Sequence, residues 1–184
     1  PKTIAFVQSL LAQVESRKSK IENLVVDADA LYALAQSGEW WKNLAPNSAI
    51  LTPHPGEFAT LAGLSRDAIQ NDRVNAARKF AAQWRQIVVL KGAFTVIASP
   101  DGRATLLPFA TPALATAGAG DVLAGTIVAM LAQKLNLYDA AIAGAYLHGL
   151  AGEIAEKEIG RAGVVAGDLL ARLPEAIRRV SLNG

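Results

Sequence analysis

Cysteine is absent from the 184 residues. That absence excludes disulfides, thiolate metal sites and a cysteine nucleophile. Charge is scarce as well, with Asp, Glu, Lys and Arg making up 18% of the chain. Hydrophobic residues make up 52%, and the mean hydropathy is +0.26. Such a composition excludes disorder and supplies a substantial core. Neither sign of charge dominates, because 18 basic residues face 16 acidic ones. The pI of 9.1 reflects that small imbalance and not a basic face. The one local cluster, Arg17, Lys18 and Lys20, reads as a solvated helix end. No electrostatic footprint for nucleic acid is visible. Long apolar runs are missing too. The longest, residues 122–132, is bounded by Asp121 and by Gln133-Lys134, and a bilayer span needs about 20 residues. With no signal peptide visible, the reading is a cytoplasmic protein with neither membrane nor nucleic-acid partners.

What is present alternates in period. "TIAFVQSLLAQVES" has helical spacing over residues 3–15. "NLVVDADAL" reads as a short buried strand ending in Asp27 and Asp29, followed by a helix through Gln36. "SAILTPHPGEF" repeats that plan, and "IVVLKG" supplies a third buried strand. Ser65 reads as the N-cap of one long amphipathic helix reaching about Arg85. "FTVIASPDGRATLLPF" predicts a hairpin turning at Pro100-Asp101-Gly102. Helices follow near 137–157 and 166–179, with Pro174 late in the last one or dividing it. Alternating strands and helices predict an α/β fold with a parallel sheet, in one domain over residues 1–184. Ligands of such sheets bind beyond the carboxyl ends of the strands. Those ends carry Asp27 and Asp29, residues 54–57, and Lys91-Gly92.

Within "LATAGAGDVLAGTIVAMLA", Gly118-Ala119-Gly120-Asp121 opens a helix that is apolar almost all round. A helix N-terminus offers unpaired amides and partial positive charge, and glycine lets a phosphate approach them. Asp121 in the first turn is positioned to take a proton from a substrate hydroxyl. The plainer reading is that Asp121 only complements the helix dipole. Ala124 and Gly125 fit close packing. In "TPHPGE" two prolines fix the backbone around His54, and Glu57 falls in the first turn of the next helix. His54 is read as functional, and His148, within an Ala/Gly/Leu-rich helix, as structural. Lys91 is a phosphate partner or a strand-end cation reaching solvent. Asp27 and Asp29 hold a water or a cation, or cap the following helix; capping suits at least one of them.

Together "VVDADAL", "LTPHPGEFATLAG", "VVLKGAFTVIASPDG", "LATAGAGDVLAGTIVAMLAQ", "GAYLHGLAGEIA" and "VVAGDLLARLP" resemble the ADP/ATP-dependent NAD(P)H-hydrate dehydratase family of the ribokinase-like superfamily. The resemblance covers nearly the whole chain. It implies a ribokinase-like fold with a mostly parallel sheet flanked by helices. It also implies nicotinamide-nucleotide repair, the dehydration of NAD(P)H hydrate driven by ATP or ADP with Mg2+. The route is phosphorylation of the ring hydroxyl followed by phosphate elimination. Carried over by position, Asp121 is the base and a hydrate contact, and His54 a second hydrate contact. Lys91, Gly92, Ala93, Phe94, Thr95, Gly118, Ala119 and Gly120 line the nucleotide site. Glu57 orients the metal through water. Ala119 stands where the family usually has Thr. The family also has a glycine-rich N-terminal region before the point where Pro1 falls. The expectation is therefore an N-terminally incomplete domain that forms a homo-oligomer or associates with the missing segment. Two alternatives are a ribokinase-like kinase of a thiazole or pyrimidine alcohol, and a non-catalytic nucleotide-binding fragment.

Overall fold

The computed structural model describes residues 2–15 and 23–181. Pro1 and the cluster of Arg17, Lys18 and Lys20 lie outside the described residues. The chain forms two compact units, one of residues 1–92 and 96–106, the other of residues 93–95 and 107–184.

The first unit holds the sheet. Helix α1 (Lys2–Glu15) packs on α2 (Asp29–Ala35), which follows strand β1 (Leu24–Val26). Strand β2 (Ala49–Leu51) leads into α3 (Pro55–Ala62), and β3 (Ile87–Leu90) follows two helices, α4 (Arg66–Asn71) and α5 (Arg73–Trp84). Strands β1, β2 and β3 are parallel neighbours, with Val26 beside Leu51 and Leu51 beside Val88. Strands β4 (Val96–Ala98) and β5 (Ala104–Leu106) extend the sheet antiparallel through the hairpin at Pro100-Asp101-Gly102. β2, β3 and β4 are buried at every position, which explains why they read as continuous apolar runs rather than alternating ones.

Helix α5 buries Ala77, Phe80, Ala81 and Trp84, one face at helical spacing. Trp84 is fully buried against Phe80, Phe58 and Trp40, with ring centroids 5.0, 5.4 and 5.4 Å away. The buried Gln86 amide makes three hydrogen bonds: Oε1 accepts from the N–H groups of Ser48 and Ala49, and Nε2 donates to the Ala45 carbonyl.

One expectation is corrected here. The helix that Ser65 caps, through the Ala68 N–H, does not run to Arg85. It breaks at Asp72, whose backbone leaves helical geometry at φ −150° and ψ 71°. Asp72 Oδ1 accepts from the Asn75 N–H and so starts α5 as a fresh helix. The same contact, with the Asn75 side-chain amide, holds the Asp72 carboxyl below its ordinary pKa.

The second unit is helical. It contains a short 3-10 turn (Pro112–Leu114), α6 (Ala119–Ala132), α7 (Leu137–Ile159) and α8 (Ala166–Ser181). Pro174 lies inside α8 and does not divide it. α7 receives its neighbours at glycines. A Cβ on Gly144 would stand 2.7 Å from Ile127 of α6, one on Gly149 2.2 Å from the Phe109 ring, and one on Gly152 2.5 Å from Leu114. Gly125 does not share this role, because a Cβ there would meet nothing within 4 Å. His148 is buried in α7, as the structural reading expects.

Candidate functional site

Parallel strands β1, β2 and β3 end side by side, and their carboxyl ends deliver Asp27, His54 and Lys91 to one edge of the sheet. His54 is the N-cap of α3. Its Nδ1 accepts from the N–H groups of Gly56 and Glu57 at 3.0 and 3.1 Å. Glu57 Oε2 accepts from the His54 N–H at 2.7 Å, closing a capping box. Pro55 at the first helical position has no amide to satisfy. Gly56 makes room for the ring, since a Cβ there would stand 2.9 Å from His54 Cε1. Because Nδ1 is an acceptor, the neutral imidazole carries its proton on Nε2. About half of the ring is exposed. His54 therefore caps a helix with one nitrogen and keeps the other as a donor, 3.5 Å from Glu57 Oε1.

Lys91 Nζ stands 2.7 Å from Asp27 Oδ1 and 3.7 Å from Glu57 Oε2. The ammonium therefore lies between two carboxylates, and Glu57 joins it to the His54 capping box. Sequence reasoning leaves Asp27 and Asp29 as helix caps or cation ligands. No side-chain cap bond forms at α2, whose N-cap is Ala28; Asp27 instead pairs with Lys91, two strands away. Asp29 sits in the first turn of α2. A residue missed in the sequence is Arg73. Its guanidinium donates to the carbonyls of Leu90 and Lys91 at 3.1 and 3.2 Å and fixes the end of β3. Partial burial pulls the Arg73 pKa below its ordinary value. The break at Asp72 puts Arg73 at the start of α5, so an Asn-Asp pair inside an otherwise helical run was the legible signal.

In the second unit, Gly118 precedes α6 at φ 82°, a left-handed conformation suited to glycine. A Cβ on Gly118 would stand 3.0 Å from Ala166 Cβ. The Gly118 carbonyl accepts from the N–H groups of Asp121 and Val122, and that of Thr116 from Ala119. The Gly120 N–H has no protein partner among the described residues. Asp121 is exposed, and α6 has no side-chain cap bond. Its carboxylate makes no hydrogen bond or ion pair among the described residues. A simple capping role is thus not what the side chain performs. The arrangement offers a free amide for an anion and a free carboxylate for a proton.

Residues 93–95 belong to this second unit. The Phe94 N–H donates to the Phe109 carbonyl at 2.7 Å, and the Thr95 carbonyl accepts from Leu107 at 3.0 Å. Among the described residues no group of three or more His, Asp or Glu is assembled to hold a metal. No described helix is long and apolar enough to cross a membrane.

The chain is similar in sequence and in fold to known proteins. A bifunctional NAD(P)H-hydrate repair enzyme of Moorella thermoacetica is 44% identical over 180 residues, 98% of this chain and 33% of its own length. An ADP-dependent (S)-NAD(P)H-hydrate dehydratase of Neisseria meningitidis is 44% identical over 149 residues, 79% of this chain and 50% of its own. The chain thus spans between a third and a half of these relatives. The Bacillus subtilis ADP/ATP-dependent NAD(P)H-hydrate dehydratase, co-crystallised with ATP/Mg2+, superposes with a TM-score of 0.74 at 37% identity, over 84% of this chain and 54% of that one. A ribokinase-like superfamily protein of Enterococcus faecalis does so with a TM-score of 0.77 at 26% identity, over 94% of this chain and 58% of that one. The family model for NAD(P)H-hydrate dehydratase matches residues 3–175, and the chain belongs to that family.

Proposed function

We propose that the chain dehydrates NAD(P)H hydrate back to NAD(P)H at the expense of ATP or ADP. The observation that carries this reading is the free carboxylate of Asp121 beside the unused Gly120 amide at the start of α6. Hydroxide leaves a saturated ring carbon poorly, whereas phosphate leaves well. Asp121 takes the proton as the ring hydroxyl attacks the terminal phosphoryl group. The nucleotide departs one phosphate shorter, and loss of phosphate together with a proton from the adjacent ring carbon then restores the ring double bond. Charge developing on the transferring phosphoryl group is met by the Gly120 amide, in a turn that Gly118 and Ala119 complete; the Ala119 amide itself is held by the Thr116 carbonyl.

His54 Nε2–H, held outward by its capping bonds, is the donor to the hydrate. Lys91, Gly92, Ala93, Phe94 and Thr95 line the nucleotide. Asp27 and Glu57 position the Lys91 side chain through their two contacts. Mg2+ accompanies the nucleotide and screens its phosphate charge. Glu57 has one oxygen committed to the His54 N–H, so it fits an orienting role through water and not direct ligation. The two units serve one ribokinase-like domain, in the cytoplasm. Strand β1 pairs only with β2 among the described residues, and this open edge favours association with a second copy or another segment. Light scattering on the purified chain tests that association.

The assay mixes the chain with NADPH hydrate, Mg2+ and ATP or ADP, and follows absorbance at the reduced-nicotinamide band together with free phosphate. Stoichiometric appearance of both supports the reading. Phosphate retained on the product would make the chain a kinase instead.

A further inference from the structure

Five described non-glycine residues have positive φ: Ala28, Asn47, Arg85, Phe94 and Lys134. Arg85 ends α5, a position where left-handed backbone is common. Ala28 is small, Asn47 tolerates the region well, and Lys134 lies just beyond α6. Phe94 is the bulky apolar member, at φ 53°. For such a side chain this conformation is strained and calls for compensation.

Burial does not supply it. The Phe94 side chain is 49% exposed, and its ring stacks on no other aromatic ring among the described residues. The backbone is nonetheless firmly held. Its own N–H donates to the Phe109 carbonyl, and the next carbonyl, that of Thr95, accepts from Leu107. Phe109 is in turn seated on α7 at Gly149, where a Cβ would overlap its ring. The fold therefore forces a strained turn and uses it to present an aromatic face to solvent. The glycine that would relieve the strain would remove the face.

We propose that Phe94 is a stacking platform for the purine ring of an adenine nucleotide. This rests on the nucleotide reading of residues 91–95 given above and assigns the base, not the phosphates, to this side chain. An aromatic face reads the flat π-surface of a base and does not need charge. Stacking of a base on an aromatic side chain is worth about tenfold in affinity.

The experiment titrates ATP, and inorganic triphosphate as a ringless control, calorimetrically into the native chain and Phe94→Ala, Phe94→Gly and Phe94→Trp. The expected result is about a tenfold loss for ATP in both Ala and Gly variants, with Trp retaining native affinity and triphosphate binding unchanged throughout. Phe94→Gly is also expected to raise the melting temperature by about 2–4 °C, since it relieves the strain, whereas Phe94→Ala does not. Weaker binding in a more stable protein is an outcome that a packing role would not produce. ATP affinities of the Ala and Gly variants within twofold of native would overturn the assignment. So would equal losses for triphosphate, or no ATP binding by the native chain. Hydrate turnover is judged separately: ring-dependent ATP affinity without turnover would remove the dehydratase reading and leave Phe94 as assigned.

Discussion

Lys91 Nζ and Asp27 Oδ1 lie 2.7 Å apart although the strands they end are separated by β2. Both side chains are largely buried, at 20% and 15% exposure. Charge-assisted bonds of this kind are worth about 1.5–3 kcal/mol. Asp27→Asn is expected to lower unfolding stability by about 1.5–2 kcal/mol, the lower part of that range, because Glu57 still faces the ammonium at 3.7 Å. Urea denaturation at neutral pH measures it, and an unchanged midpoint would show that the pair contributes nothing net.

Asp121→Asn separates chemistry from folding. With no cap bond to lose, stability should stay within about 0.5 kcal/mol of native. Turnover of NAD(P)H hydrate should fall by about 10²–10⁴-fold if the carboxylate is the base. Full turnover in the variant would return Asp121 to a dipole-complementing role.

His54 has two tasks, and two substitutions divide them. His54→Ala removes the acceptor for Gly56 and Glu57 and should cost about 1 kcal/mol. His54→Asn keeps a capping oxygen and should recover most of that stability. Neither variant retains the Nε2 donor, so both should show a raised KM for hydrate with little change in the KM for nucleotide. Recovery of hydrate KM in the Asn variant would confine His54 to capping.

Acid stability has a local signature in α8. Hydrogen bonds from Arg178 and Arg179 hold the Glu175 carboxyl down at about 2. A carboxylate depressed in the folded state stabilises above its unfolded pKa, and that stability is lost as pH falls through the folded value. The contribution is present above about 4.5 and disappears toward about 2. Glu175→Gln should flatten the melting temperature of the chain across that window and leave its shape above pH 5 unchanged. A parallel acid limb in both proteins would refute it.

Gly149→Ala sets helix propensity against packing. Alanine favours a helix by about 1 kcal/mol over glycine, but here its Cβ would lie 2.2 Å from the Phe109 ring. Overpacking should prevail and destabilise by about 1–3 kcal/mol. A more stable variant would show that Phe109 can move aside freely.

Much of this was legible in the chain because strand ends, hairpin and capping residues carry local signals. The buried strands, the Ser65 cap, the turn at Gly102 and the last two helices are all written in short segments. What stayed hidden was set at long range. Pairing of Asp27 with Lys91 depends on which strands lie between them, and no local pattern encodes strand order. The break at Asp72 was masked by apolar spacing that continues across it, because Ile69 and Phe80 both pack into the core. Arg73 became visible only once that break had turned its side chain toward β3. Likewise Phe94 reads as an ordinary strand residue until its φ is known.

The glycines of α7 also bear on how the second unit assembles. Gly144, Gly149 and Gly152 together weaken the helix by about 3 kcal/mol relative to alanine. An isolated α7 is thus a poor nucleus, despite its 23 residues. It becomes favourable only when Ile127, Phe109 and Leu114 occupy the space those glycines leave. Consolidation of α7, docking of α6 and seating of residues 109–114 are therefore expected to occur in one cooperative step. The strained turn at Phe94, tied to Phe109, would form late, when that step is complete.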